Sequence, residues 1–212
     1  MAEVESGVLR GADGVSRCWW CDANDEYRAY HDDEWGMPLA DDVRLFETIS
    51  LEGFQAGLSW LTILRKREGF REAFAGFELS TVARFGERDI TRLLGDSGIV
   101  RHRGKIEAVV NNAARALELA ETEGSLAAYL WRFEPAEREG RLDRATLAER
   151  ALAPEAKALA RDLKRRGWKF VGVPTVYAFM QAAGLVNDHL DGCDARERAE
   201  RARADLVRSR SS

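Results

Sequence analysis

Three cysteines and three histidines occur in 212 residues, and five of these six stand where a metal ion could use them. Cys18 and Cys21 form CWWC, His31 follows ten residues on, and HLDGC near the other end pairs His189 with Cys193. His-x3-Cys sets two soft ligands one helical turn apart, an arrangement that suits Zn²⁺. Ligands drawn from both ends would close most of the chain into one loop, the service a disulfide performs in an oxidising compartment. Five candidates for four positions leave the ligand set open, and plain burial of the cysteines remains the alternative.

A second group mixes aromatic rings with carboxylates. Trp19, Trp20, Tyr27, Tyr30 and Trp35 come close together, and LEGFQAGLSW adds Glu52, Phe54 and Trp60. Rings that stack, with a carboxylate to accept hydrogen bonds, suit a flat cationic heterocycle. The plainer alternative is that the rings line a hydrophobic core. Glu52 resists that alternative, because it follows an apolar helical run and a buried carboxylate needs a partner. The third feature is WKFVGVPTVYAFMQAAGLVNDH, where a basic helix is expected to end at Gly167 and a turn with Gly172 and Pro174 leads on. Such a turn can aim backbone N–H groups at a phosphate.

Helices must carry these groups. Leu39, Val43, Phe46, Ile49 and Ser50 trace one helical face behind the cap candidates Asp41 and Asp42. Ser59 is expected to cap WLTILRKRE and Gly69 to end it; His102 to Glu123 shows the clearest apolar periodicity; Pro154 opens a helix through Gly167, and Thr175 caps the next. No segment alternates with period two. The fold class expected is all-α, with a tail over residues 1–16, a single domain over 17–194 and an arginine-rich tail over 195–212.

Composition narrows the class further. With 45% hydrophobic and 32% charged residues the chain is neither disordered throughout nor a membrane protein, and it shows no signal peptide, so a cytoplasmic protein is expected. A formal net charge of −4 discourages a nucleic-acid partner when taken in bulk. The charge is segregated, however. Asp22 to Asp42 holds eight acidic residues against Arg28 alone, whereas Arg101, Arg103 and Lys105 cluster, as do Arg161, Lys164, Arg165, Arg166 and Lys169.

AYHDDEWGMP (29–38), LEGFQAGLSWLTILRKRE (51–68), DSGIVRHRGKIEAVVNNA (96–113) and KRRGWKFVGVPTVYAFMQAAGLVNDHLDGC (164–193) resemble the DNA-3-methyladenine glycosylase I family. The resemblance implies a helix-hairpin-helix glycosylase fold in which one structural Zn²⁺ per chain ties the two ends of the core through Cys18, His31, His189 and Cys193, leaving Cys21 aside. It implies Glu52 as the catalytic carboxylate, with Tyr30, Trp60, Trp20 and Tyr27 around the base. Gln55, Gly57, Leu58, Lys169, Gly172 and Thr175 are implied as contacts to double-stranded DNA. It also implies a monomeric, monofunctional hydrolase of N-glycosyl bonds that removes 3-methyladenine from alkylated DNA, the first step of base excision repair. Asn187 falls where many superfamily members carry a catalytic aspartate, with Asp188 one register away, and Pro174 falls where bifunctional members carry a lysine. Phe54 replaces a glutamine usual in the family. Two rival classes are a zinc-stapled regulator, which has no use for Glu52 beside Tyr30 and Trp60, and an interaction module whose rings are all core.

Overall fold

A computed structural model describes residues 6–136, 141–150 and 153–210. The fold is mostly helical, and among the described residues no helix is long and apolar enough to cross a membrane. Residues 6–16, expected as a tail, instead enter a two-stranded hairpin. β1 (Val8–Arg10) pairs antiparallel with β2 (Ser16–Cys18), Leu9 opposite Arg17. Strands this short give no visible alternation. The hairpin is held by a turn in which Gly14 adopts φ +77° and by mutual backbone and side-chain bonds between Ser16 and Asp194 at 2.9 Å.

Eleven described α-helices follow: α1 (Asp25–Asp33), α2 (Asp42–Gln55), α3 (Trp60–Ala73), α4 (Leu79–Val82), α5 (Glu87–Gly95), α6 (Arg103–Glu123), α7 (Leu126–Leu130), α8 (Arg144–Arg150), α9 (Pro154–Arg165), α10 (Val173–Ala182) and α11 (Arg196–Arg210). α2 is the central element, packed against α3, α6 and α10. Its apolar face, with Leu45, Phe46, Ile49 and Phe54, merges with Ile63, Phe70, Ile106, Val109, Phe179 and Met180 in one core. Burying each such side chain contributes roughly 1.5–3 kcal/mol before conformational entropy is charged.

Caps set where these helices begin. Asp41 accepts the Arg44 N–H at 2.9 Å and starts α2, while Asp42 reaches across to the Leu126 and Ala127 N–H groups and starts α7. Ser59 caps α3 through Thr62 N–H, and the His102 ring accepts the Lys105 N–H to start α6. Three expected boundaries differ. Gly69 does not end α3; it lies inside the helix, and the position calls for glycine because a Cβ there would meet the Gly98 carbonyl oxygen at 2.7 Å. Thr175 is not the cap of α10, which begins at Val173 with Gly172 as the residue before it and Pro174 in the first turn. Of the arginine-rich segment expected as a tail over 195–212, the described part forms the helix Arg196–Arg210 and docks: Ala199 is fully buried, and Arg203 bonds both the Gly184 carbonyl and Glu134. Alanine supplies little apolar area, so its contact escapes a periodicity reading.

Gly184 fixes the strand of chain leading to α2. Its φ is +70°, and a Cβ would lie 2.6 Å from backbone atoms of Met37 and Pro38. Backbone cannot yield as a flexible side chain does. Gly184→Ala is expected to lower unfolding free energy by on the order of 3 kcal/mol in urea titration, from left-handed strain plus overpacking; a loss under 1 kcal/mol would contradict this packing.

Candidate active site and metal centre

The hairpin brings Cys18 to α1, which carries His31, and the turn after α10 returns His189 and Cys193 to the same point. All four are buried, and their ligand atoms lie within 4.8 Å of one another. His31 Nε2 is 3.2 Å from His189 Nδ1 and 3.5 Å from Cys193 Sγ, which is 3.6 Å from His189 Nδ1. Metal-ligand bonds of about 2.0–2.3 Å around a tetrahedron give edges of about 3.3–3.8 Å, close to the three separations among His31, His189 and Cys193, so with Cys18 as fourth member the cluster could hold a metal ion such as zinc. The outer groups agree. The Trp35 carbonyl accepts from His189 Nε2–H at 2.9 Å, and Asp32 accepts from His31 Nδ1–H at 2.8 Å, leaving the other nitrogen of each ring bare and facing the sulfurs. Arg17 in turn holds Asp32. Cys21 lies beside the quartet, near His31, but is not one of the four clustered ligands, and its thiol donates to the Cys18 carbonyl at 3.1 Å. Spacing alone left five candidates; the fold brings four together.

The aromatic wall grows out of this cluster. Trp35 packs edge-on to His189 at 4.8 Å, Trp20 lies 5.0 Å from Trp35 and 6.4 Å from Tyr30, and Tyr30 tilts against Trp60 at 5.4 Å. Trp20 also meets Tyr27 edge-on at 5.9 Å. Tyr27 has a second use, its phenol oxygen accepting the Leu61 N–H at 3.0 Å and so holding the first turn of α3, where Trp60 sits.

Glu52 lies in the last turns of α2 with 5% of its surface exposed. Its carboxylate makes no hydrogen bond or ion pair with any described residue, and burial alone raises its pKa from 4.5 to about 8. Burial, and after it the Glu52 charge, pushes the Tyr30 phenol well above its usual range. The Trp60 indole N–H is buried without a partner. A buried carboxyl and an orphaned indole donor are both polar groups that burial leaves without a protein partner. Sequence reasoning missed the ion pairs Glu34–Arg67 and Glu47–Arg71, which line a cleft beside Tyr30 and Trp60. Their partners come from different helices, so spacing gave no signal.

The end of α2 is braced from α6. Lys105, buried and unremarked as a site residue, donates to the carbonyls of Phe54 (2.9 Å) and Ala56 (2.6 Å), satisfying groups that a helix C-terminus leaves bare. Gln55 donates to the Leu58 carbonyl at 2.8 Å, Gly57 turns the chain at φ +83°, and Leu58 projects outward. Phe54 is fully buried against Phe70 at 4.6 Å, so its replacement of a glutamine belongs to the core and not to the loop surface. α6 also fixes the turn between α9 and α10. Asn112 pairs with both the N–H and the carbonyl of Lys169 at 2.9 Å, and Asn111 holds the Gly167 carbonyl.

Asn187 and Asp188 face elsewhere. Asn187 bonds the Arg196 carbonyl and Glu200, and Asp188 is satisfied by Tyr177, Gln181 and Arg150. Neither has a partner among the pocket side chains. The basic clusters are also thinned by pairing, since Arg103 meets Glu87 and Glu107, and Arg165 and Arg166 meet Asp162. Arg101, Arg161, Lys164 and Lys169 remain exposed, with no ion-pair partner among the described residues, and of these Arg101 and Lys169 adjoin His102 and Phe170 in sequence.

Known proteins share this arrangement of chain. The methyladenine glycosylase family profile matches residues 20–197. DNA-3-methyladenine glycosylase 1 of Escherichia coli (strain K12) is 46% identical over 181 residues, which cover 84% of this chain and 96% of that protein. The Haemophilus influenzae DNA-3-methyladenine glycosylase is 42% identical over 182 residues, 84% and 97% of the two chains. A crystal structure of 3-methyladenine DNA glycosylase I has a TM-score of 0.78 at 45% identity, covering 84% of this chain and 98% of that one. A variant of that enzyme type solved in complex with 3-methyladenine gives 0.77 at 38% identity, covering 84% and 95%. In sequence and in fold, the chain belongs to the methyladenine glycosylase family.

Proposed function

We propose that the protein is a monofunctional DNA glycosylase that hydrolyses the N-glycosidic bond of 3-methyladenine in alkylated double-stranded DNA. The observation that carries this is Glu52, a buried carboxyl with no protein partner whose charge reaches the Tyr30 phenol, with Tyr30 tilted against Trp60. Methylation at N3 makes the base cationic, which both weakens its bond to the sugar and gives it the charge the pocket lacks. The nucleotide must leave the stack to reach a site this enclosed. Glu52 gives up its proton as the cation enters and accepts hydrogen bonds from the base. Tyr30 and Trp60 border the base face, Trp20 and Tyr27 complete the wall, and the Trp60 indole N–H offers a donor.

Bond breaking then needs no general acid. The electron pair of the C1′–N bond departs with the base, neutralising it, and a water oxygen adds to C1′ while its proton goes to solvent. The Glu52 carboxylate opposes the positive charge that develops on the sugar. Pro174 stands in the hairpin where a Schiff-base lysine would be required for strand nicking, so hydrolysis stops at the abasic site. The α9–turn–α10 unit serves as the helix-hairpin-helix phosphate contact through Gly172, Thr175 and Lys169, and Gln55, Gly57 and Leu58 form the loop that faces the vacated stack. Zinc held by Cys18, His31, His189 and Cys193 supplies structure only. Monomeric action in the cytoplasm completes the reading.

Incubation with methylated duplex DNA, followed by chromatography of the released small molecules, tests it. Free 3-methyladenine is expected in amounts that rise with enzyme and time; release no greater than from a Glu52→Ala control would reject the assignment.

A further inference from the structure

We infer that Phe170 is a second apolar contact with the duplex, laid against the base stack beside the gap left by the extruded nucleotide, with Leu58 as its counterpart. The inference rests on the glycosylase reading above. Among the described residues, Leu58 and Phe170 are the large apolar side chains that stand exposed, at 39% and 42%. They flank the same structural point. Leu58 sits on the loop that leaves the C-terminal end of α2, while Phe170 lies over Gly53, where a Cβ would be 3.7 Å from both the Phe170 Cβ and its carbonyl oxygen. Gly53 follows Glu52 directly, so the two exposed side chains border the helix end that carries the pocket carboxyl.

Phe170 is also held in place at some expense. Its φ is +56°, a left-handed conformation that an aromatic residue rarely adopts. The paired Asn112 bonds to Lys169, immediately before it, and the Asn111 bond to Gly167 fix the turn in that shape. The His102 ring meets Phe170 edge-on at 6.2 Å, supporting it from one side and leaving the rest of it to solvent. A strained, braced and solvent-facing ring has no account in packing alone.

Charge identifies the partner. Arg101, next to His102, and Lys169, next to Phe170, are exposed cations left unpaired beside the ring, and the ten-residue α10 begins three residues on, at Val173. An apolar plate rimmed by unpaired cations matches a stack of bases edged by phosphates. It matches an acidic protein surface less well, because such a partner offers no flat apolar face at the centre.

Equilibrium binding separates the possibilities. Affinities of wild type, Phe170→Ala and Phe170→Trp are to be measured for a duplex holding a tetrahydrofuran abasic analogue, for the same duplex intact, and for free 3-methyladenine. Phe170→Ala is expected to weaken abasic-duplex binding tenfold to a hundredfold, change intact-duplex binding less than threefold and leave free-base binding unaltered, with Phe170→Trp near wild type. Equal abasic-duplex affinity for Phe170→Ala and wild type overturns the inference. So does a parallel loss of free-base binding, which would make Phe170 a support of the pocket. Release of 3-methyladenine by the wild type is scored separately, so failure of the glycosylase reading shows there while the role of Phe170 is read from the abasic duplex.

Discussion

Glu52→Gln is expected to lower single-turnover release of 3-methyladenine by about a hundredfold to a thousandfold, the scale on which one electrostatic group serves a developing charge. The amide keeps the shape of the side chain and can still accept a hydrogen bond, but it cannot oppose positive charge. The same substitution should remove a pH dependence. In the free protein the carboxyl is protonated up to about pH 8, because burial disfavours its charge. A cationic base needs the ionised form, so kcat/KM for the wild type should fall about tenfold per pH unit below 8 and level above it. The bound cation favours the carboxylate, so kcat should stay level to lower pH. The Gln variant should show a flat kcat/KM across the range. Stability moves the other way. Below pH 4.5 both folded and unfolded chains carry a neutral carboxyl; between 4.5 and about 8 only the unfolded chain ionises, and native stability is lost progressively. Wild type should therefore lose a few kcal/mol over this window relative to Glu52→Gln in denaturant titrations at several pH values. A Gln variant within threefold of wild-type rate, or one with the wild-type pH slope, would remove Glu52 from the reaction.

Legibility of this chain divided along physical lines. The periodicity from His102 to Glu123 marked α6 correctly because twenty-one residues repeat a pattern, and its N-cap is His102 itself. Ser59 was readable as a cap, since a hydroxyl before an apolar run has a local purpose. The long separation between the Cys18/His31 and His189/Cys193 pairs is visible in the sequence, but only the fold separates Cys21 from the four ligand atoms that converge. What escaped sequence reasoning acts across space. Gly69 looked like a stop signal and is a point of contact with Gly98. Lys105 looked like one member of a basic cluster and is a buried brace for the end of α2; Arg165 and Arg166 looked available and are occupied by Asp162. The bulk charge thus misled twice, first by its sign and then by the apparent size of the basic patch. Of the five basic residues counted between Arg161 and Lys169, pairing leaves Arg161, Lys164 and Lys169 free of ion pairs among the described residues, and only Lys169 adjoins the aromatic turn.

Metal removal should have the second large effect, and it should reach the pocket. Freshly purified protein is expected to hold about one equivalent of zinc, and Cys193→Ser to hold less than half of that. The chain segment between the Cys18 and Cys193 ligands spans nearly the whole core, so the ion restrains the unfolded ensemble much as a cross-link would. Helices outside the cluster share a core of their own, so loss of zinc should lower the melting temperature by several degrees or more without abolishing the helical signal. The consequence for binding follows from the contacts. Trp35 packs against both ligand histidines, and Trp20 packs against Trp35, His31 and Tyr30. Loosening the quartet frees that wall, and free 3-methyladenine should bind at least tenfold more weakly to Cys193→Ser than to wild type, although no ligand residue borders the base. Cys21→Ser provides the contrast: its side chain lies outside the quartet, so full zinc content and near-wild-type base binding are expected. Retention of zinc, melting temperature and base affinity by Cys193→Ser would refute the four-ligand centre, whereas loss of zinc with unchanged base affinity would refute only the proposed support of the aromatic wall.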